Sequence, residues 1–455
     1  MLDRRSFLTA GGGFAAAALA PAAPARANIE VAELRGSLDA SHFGARPGAV
    51  DDQSRILQMA IDQATREHRP LFIPPGRYQV SNLTLPDGAQ IVGIPDETQL
   101  VYQGGGHFLL GEKAERLSLE GIVIDGSNRL LEDYAPGLVH FIDVERVTIA
   151  NCSISGSAMN GISLHRCGGR IERSTVSGAG QAAIQTMEAK GLAIRDNVVT
   201  NCANGGILVH RWTEGDDGTL VTGNRVEEIY ARDGGTGQNG NGINVFRAHN
   251  VMVANNRVAN CAFSAIRSNA GSNVQITANS CLKSGETAIY SEFAFEGAVI
   301  SDNIVDGGAN GISVVNFREG GRLATVSGNL VRNMSTIGPY TSEPPGFGSG
   351  IAAEGDTTIA NNVVENVPLF GLALGWGPHM RNVTATGNIV RNAKVGIAVS
   401  VVDGVGPAVV ANNILEETAD GAIIGFRWAD RASDDLVDGG GDAFAGLTVA
   451  NNVAR

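Results

Sequence analysis

The chain has 455 residues, 47 acidic against 34 basic side chains, and a formal net charge of −13. Acidity of this order argues against nucleic acid as a partner, because that binding rests on neutralising phosphates. Only Lys113, Lys190, Lys283 and Lys394 are lysines, so a local basic patch for an anionic ligand would be built of arginine, which grips carboxylates bidentately.

The first residues read "MLDRRSFLTAGGGFAAAALAPAAPARA". An arginine pair, a short run rich in Ala, Gly and Leu, and the closing Ala25-Arg26-Ala27 predict a twin-arginine export signal over residues 1–27. The expected consequence is a periplasmic or secreted protein, exported folded with the twin-arginine translocon as a transient partner. The apolar run is too short and too rich in small residues to span a bilayer, so no membrane insertion is expected. Removing Asp3, Arg4, Arg5 and Arg26 takes away a net +2, so −13 becomes −15.

Residues 28–110 form a distinct N-terminal part, a cap joined to the first coils of a repeating chain. Asp52 is placed to cap a helix whose Ile56, Leu57, Ala60, Ile61 and Ala64 share one face. "LFIPPGRYQV" then predicts a strand, a Pro-Gly turn and a second strand.

Residues 111–455 continue as repeats. Segments such as "NGISLH", "GGILVH", "TAIYSE" and "VGIAVS" align on Ile162, Ile184, Ile207, Ile243, Ile266, Ile289, Ile312, Ile351, Leu372, Ile397 and Ile423. The spacings are 22, 23, 36, 23, 23, 23, 39, 21, 25 and 26 residues. Short alternating segments split by Gly and Asn are strands and turns, and one repeat cannot bury its own aliphatic residues. Some 23 residues at roughly 3.3 Å each make one coil of three strands. The predicted fold is all-β, a right-handed parallel β-helix of about a dozen coils with an N-terminal capping helix.

Before each aligned aliphatic stands Asn197, Asn224, Asn256, Asn279, Asn303, Asn329, Asn362, Asn388 or Asn413, nine or ten residues ahead except where an insertion widens the gap to 19 for Asn224 and 22 for Asn329, with Cys152 and Ser174 in that place earlier. Recurrence with the coil predicts a stacked amide ladder, at a turn where Asn tolerates left-handed backbone. The five cysteines, an odd number without metal-ligand spacing, are expected as buried small hydrophobes.

"FGARPGAVDDQSRILQMAIDQA" with "IPPGRYQVSNLTLPDGAQIVG" resembles the N-terminal module of the pectate-lyase-like β-helix superfamily, shared by polysaccharide lyases, hydrolases and phage tailspikes. With its export signal and repeats, the whole chain also resembles the twin-arginine-translocated repetitive proteins. The resemblance implies a scaffold and no catalytic residue. The Gly-His-Gly and Arg-x-Lys stretches of polygalacturonase-like hydrolases are missing. So are the Tyr-Gly-x-Asp-Pro-His stretch of alginate lyases and epimerases and the Arg-x-Pro-x-x-Arg stretch of pectate lyases.

Alternation supplies a candidate site. Residues one and three positions after each aligned Ile point outward. The first outward column includes Asn244, Arg267 and Tyr290; the second includes His210, Phe246, Asn269, Glu292 and Glu354. Insertions at about 228–240 and 335–348 fall at the same point of the coil, so both should emerge on one side and frame a cleft over the coils of Ile266, Ile289 and Ile312. Arg267, Tyr290 and Glu292 are the catalytic candidates. Arg267 would neutralise a uronate carboxylate while Tyr290 moves the proton, giving lyase or epimerase chemistry. Asn244, Arg247, His249, Asn269, His210 and Phe246 are the substrate-binding candidates.

Glu292 has other uses: acid of a hydrolase with Glu354 as partner, a calcium ligand with Glu354, or a solvated bridge to Arg267. No other cofactor is expected. The expected partner is an acidic polysaccharide. The alternatives are a non-catalytic glycan-binding or structural envelope protein, and a glycoside hydrolase.

Overall fold

Main-chain hydrogen bonds join every coil to the next in parallel register, and the aligned aliphatic residues define that register. Ile162 pairs with Ile184, then Ile207, Ile243, Ile266, Ile289, Ile312, Ile351, Leu372, Ile397 and Ile423. The computed structural model describes residues 36–235 and 237–455. Ser37–Arg455 form one unit, a parallel β-helix with a core of stacked Ile, Val and Leu. The export signal expected over residues 1–27 lies outside the described residues.

One coil shows the plan. Strand Thr287–Glu292 carries the aligned Ile289, Phe293 turns the corner with φ of 60°, strand Glu296–Ser301 follows, and Asn303 opens strand Ile304–Gly308. The side chains of Ile289, Ile300 and Val305 all enter the core. The next coil begins at Asn310. Both long insertions fall between the third strand of one coil and the first strand of the next, after Ile229 and after Met334. A third excursion lies within the same 36-residue spacing as the first insertion. Strand Gly205–Asp216 loses register between His210 and Gly215, and Arg211 and Trp212 lie within the irregularity.

The asparagine ladder is buried and continuous. Asn303 Oδ1 accepts from Asn279 N at 2.9 Å and Asn279 Nδ2 at 3.0 Å. Its Nδ2 donates to Ile276 O and to Asn329 Oδ1, both at 2.9 Å. The pattern runs from Asn197 to Asn413 and ends on Asn452, one member more than the repeats suggested. Ser174 and Cys152 extend it backwards through Ser174 N to Asn197 Oδ1 and Cys152 N to Ser174 Oγ. The left-handed residue is the one before the ladder position (Asn255, Ala278, Asp302, Asn361), not the ladder asparagine itself. Corner and amide are thus separate devices. The five cysteines are free and buried, and burial pushes the Cys152, Cys167 and Cys202 thiols up to about 11.

At the N-terminal end, helix α1 (Ser54–Arg66) buries Leu57, Ala60, Ile61 and Ala64 and packs on strands Leu71–Phe72 and Leu83–Leu85. Asp52 Oδ1 accepts from Ser54 N at 2.8 Å, satisfying one of the orphan amides of the first turn. The helix covers strand edges that would otherwise template aggregation. No helix among the described residues is long and apolar enough to cross a membrane.

Replacing Asn303 with alanine removes four hydrogen bonds in mid-ladder and leaves buried partners unpaired. We expect it to cost about 3 kcal/mol in urea unfolding, against about 1 kcal/mol or less for Asn452→Ala at the partly exposed end. Equal losses at the two positions would contradict a ladder that acts through burial.

Candidate functional site

The outward columns stand where alternation places them. Asn244, Arg267 and Tyr290 are consecutive partners, as are His210, Phe246, Asn269 and Glu292. Arg267 Nε and Nη2 reach Glu292 Oε1 at 2.7 and 2.6 Å. The Arg267 guanidinium lies 4.9 Å from the Tyr290 ring centre, a cation–π contact. Asn269 Nδ2 donates to the same Glu292 oxygen at 2.9 Å.

The surroundings of this group differ from the solvated strip that the sequence predicts. Arg267 and Glu292 are 6% and 3% exposed. Glu286, which precedes the strand, places Oε2 3.2 Å from Arg267 Nη1. Two carboxylates therefore share one guanidinium, and the cluster carries an excess negative charge when both are ionised. Burial pushes the Glu292 carboxyl up, against the pull of Arg267. Burial, Glu292 and Glu286 together hold the Tyr290 phenol well above its usual range, so it keeps its proton at neutral pH.

The two insertions emerge on one side and close on this cluster. Gly237 of the first sits against the guanidinium with φ of 113°, and a Cβ there would lie 2.6 Å from Arg267 Nη1 and Nη2. Only glycine allows that approach. Tyr340 of the second donates its hydroxyl to Glu286 Oε1 at 2.5 Å. The space between the loops is thereby filled, and the open volume lies on the N-terminal side, over the coils of Ile184 to Ile266.

That volume is a cavity of about 650 Å³. Gln185, Asn244, Asn269 and Arg267 line its floor, and His210, Phe246, Trp212 and Phe293 supply aromatic surface. Trp212 is 69% exposed at the rim, and Phe293 is a bulky residue held at positive φ, a conformation that costs energy. His210 packs edge-on to Phe246, with ring centres 5.7 Å apart. Two polar atoms of these wall residues, His210 Nε2 and Asn244 Oδ1, are shielded from solvent and have no hydrogen-bond partner. Burial pushes His210 down to about 4, so its imidazole is neutral and Nε2 can give or take a hydrogen bond according to tautomer.

Of the predicted binding residues, Asn244, Asn269, His210 and Phe246 line the cavity, as does Arg267. Arg247 and His249 lie at the following corner. Arg247 Nη1 donates to Trp212 O at 3.1 Å, and His249 Nδ1 accepts from Ser272 N at 3.0 Å. Glu354 stands two coils from Glu292 on the wall of another cavity, with Oε2 accepting from Phe317 N at 2.7 Å. A hydrolase pair or a calcium site built on Glu292 and Glu354 would have to draw both away from separate partners. Among the described residues no group of three or more His, Cys, Asp or Glu side chains is arranged to hold a metal ion. Spacing alone missed Glu286 and Tyr340. Glu286 carried a signal, an acid immediately before the aligned strand where the matching positions of earlier coils hold Met159, Gln181, Asn204, Gly240 and Phe263.

The model of the right handed beta helix region matches residues 137–331 and 212–433, together more than half of the chain. The chain belongs to the right-handed β-helix family. No curated protein matches it in sequence. Among solved structures, it is similar to the N-terminal fragment of bacteriophage Phi29 gene product 12, at 14% identity and a TM-score of 0.51, covering 88% of this chain and 73% of that one. It also matches the surface adhesin PfbA of Streptococcus pneumoniae at 14% identity and TM-score 0.46, over 87% of this chain and 94% of that one. The catalytic unit of an α-1,3-glucanase from Streptomyces thermodiastaticus matches at 16% and 0.44, over 92% and 69%. At these identities the likeness is one of fold.

Two histidines, His140 buried and His210 half-buried, set a pH dependence for this β-helix. His140 and His210 are both pushed down from 6.5 to about 4, by burial first. The unfolded chain takes up these protons near pH 6.5 and the folded chain only near 4. Their stabilisation is thus full above about pH 6.5 and lost as pH falls toward 4. We expect about 1–3 kcal/mol from His210, so His210→Phe should flatten the fall in the urea midpoint between pH 6.5 and 4. An unchanged slope would show that His210 is not held neutral.

Proposed function

We propose that the protein binds a carbohydrate chain in the cavity over the coils of Ile184 to Ile266. The carrying observation is a cavity wall that presents the aromatic faces of Phe246 and Trp212 beside the amide groups of Asn244, Gln185 and Asn269. The apolar face of a sugar ring can pack on the aromatic side chains while its hydroxyls meet the amide groups. Gln185 and Asn269 add amide donors and acceptors along the same floor.

Lyase or epimerase action on a uronate, through Arg267, Tyr290 and Glu292, is the second reading. It is favoured by the contact of Arg267 with Tyr290 at the cavity's edge. It requires Arg267 to release Glu286 or Glu292 before meeting a substrate carboxylate, and it requires Tyr290 to become a phenolate before it can take the proton beside that carboxylate. The excess carboxylate of the cluster opposes both an anionic sugar and phenolate formation. Binding of a neutral saccharide demands neither change, so it stands first. We further propose that residues 1–27 direct export by the twin-arginine route. Retention of the full-length precursor in the cytoplasm after replacement of Arg4 and Arg5 by lysine tests this, and unchanged export would reject it.

A glycan array containing neutral and uronate polymers tests the binding site. Retention of one glycan class is expected, with a roughly tenfold loss of affinity in Trp212→Ala, the scale of one aromatic contact, and a comparable loss in Asn244→Ala. No retention, or retention indifferent to both changes, overturns the proposal. Appearance of unsaturated uronates by ultraviolet absorbance, abolished in Tyr290→Phe while binding persists, would instead establish the second reading.

A further inference from the structure

A second cavity of about 150 Å³ lies farther along the same outward face, on the coils of Ile351 to Ile423. Four aromatic rings border it. Trp376 and Trp428 stand nearly perpendicular, with centres 5.7 Å apart, and Phe370 and Phe426 are 5.1 Å apart. Alanines and valines make up half of the remaining wall, and Glu354 contributes the one carboxyl. Trp428 occupies the tip of a hairpin, formed by strands Ile423–Arg427 and Asp430–Asp435, that has no counterpart in the other coils. It is held there at φ of 56°, a conformation that bulky side chains rarely adopt.

The charge of Glu354 is unbalanced. Its partners are the backbone N–H groups of Phe317 and Asn316, and the charged group beside it is another acid, Glu319. Burial raises its carboxyl to about 7. Arg427, next to Trp428, points toward Asp403 at 4.0 Å instead, and Arg381 is held by Asp356. Ser400 commits its hydroxyl to Gly377 O at 2.6 Å. A pyranose needs several hydrogen-bond partners for its hydroxyls, and this wall offers few. An aromatic enclosure with one unneutralised carboxylate suits a cation that needs no hydrogen bonds.

We propose that this cavity binds a methylated ammonium group, a compact organic cation that the aromatic faces surround and Glu354 neutralises. The site is separate from the carbohydrate cavity and does not depend on it. The acidic character of the whole chain adds a favourable field for a cationic ligand.

Titration of the full chain with tetramethylammonium chloride at pH 8, read by tryptophan fluorescence, tests the proposal against neopentyl alcohol as an uncharged isostere. Saturable binding of the cation is expected, with the alcohol at least tenfold weaker. Glu354→Gln should weaken the cation at least tenfold and leave the alcohol unchanged. Trp428→Ala, at a half-exposed position, should also weaken it, and decides the matter if Glu354→Gln does not fold. Equal binding of cation and alcohol, no binding of either, or a cation affinity indifferent to these changes overturns the proposal. Choline and phosphatidylcholine vesicles separate two sources of the group. Sedimentation with vesicles that choline reverses assigns a lipid headgroup, and choline binding without sedimentation assigns a soluble or polymer-borne cation.

Discussion

Stacking at about 4.8 Å per coil imposes one condition on everything else, that the register never slips. A one-residue slip would turn every core aliphatic outward. The asparagine ladder prevents this at one corner, because each side chain binds both the backbone amide and the carboxamide of its neighbour. Insertions as long as those after Ile229 and Met334 are tolerated because they leave the coil and return to it without disturbing the ladder. The next rungs, Asn224 to Asn256 and Asn329 to Asn362, close at distances between 2.9 and 3.0 Å like the rest.

A register this firm lets neighbouring coils present side chains in columns, and the chemistry of the outer face depends on what each column holds. Where Arg267 meets Glu292 and Glu286, the columns form a buried ion cluster that two loops clamp. Such a cluster is costly to bury and gains its value from fixing geometry. It anchors Tyr340 through Glu286, and it packs against Gly237, which lines one side of the cavity and whose carbonyl accepts from Asn241 Nδ2. The wall left open beside it, with Gln185, Phe246 and Trp212, is the one available to a ligand.

The fold was legible because its signal is repeated: eleven aligned aliphatics and nine asparagines agree on one coil. Column neighbours were equally legible, since alternation and a 23-residue step place Arg267 beside Tyr290 and diagonal to Glu292. What escaped was whatever does not repeat. Loop paths decide whether an outward residue is wet, and nothing in "STIGPYTSEPPGFG" says that Tyr340 reaches back to Glu286. The bulge that lifts Trp212 hides inside a spacing of 36 residues that one insertion is enough to explain. The strip expected as an open cleft is thus closed, and the opening lies one or two coils away. Similarly, "GFRWADRASDD" departs from the repeat, yet its composition does not reveal a hairpin that sets Trp428 opposite Trp376.

The central claim is that saccharide recognition occurs at the cavity beside the clamped cluster. Hydrogen–deuterium exchange of the full chain, with and without a glycan that it retains, locates that contact directly. Slower exchange is predicted, confined to residues 207–213, 237–247 and 266–270, with residues 370–376 and 397–400 unchanged. Protection at the latter segments alone, or none along the outer columns, would contradict it.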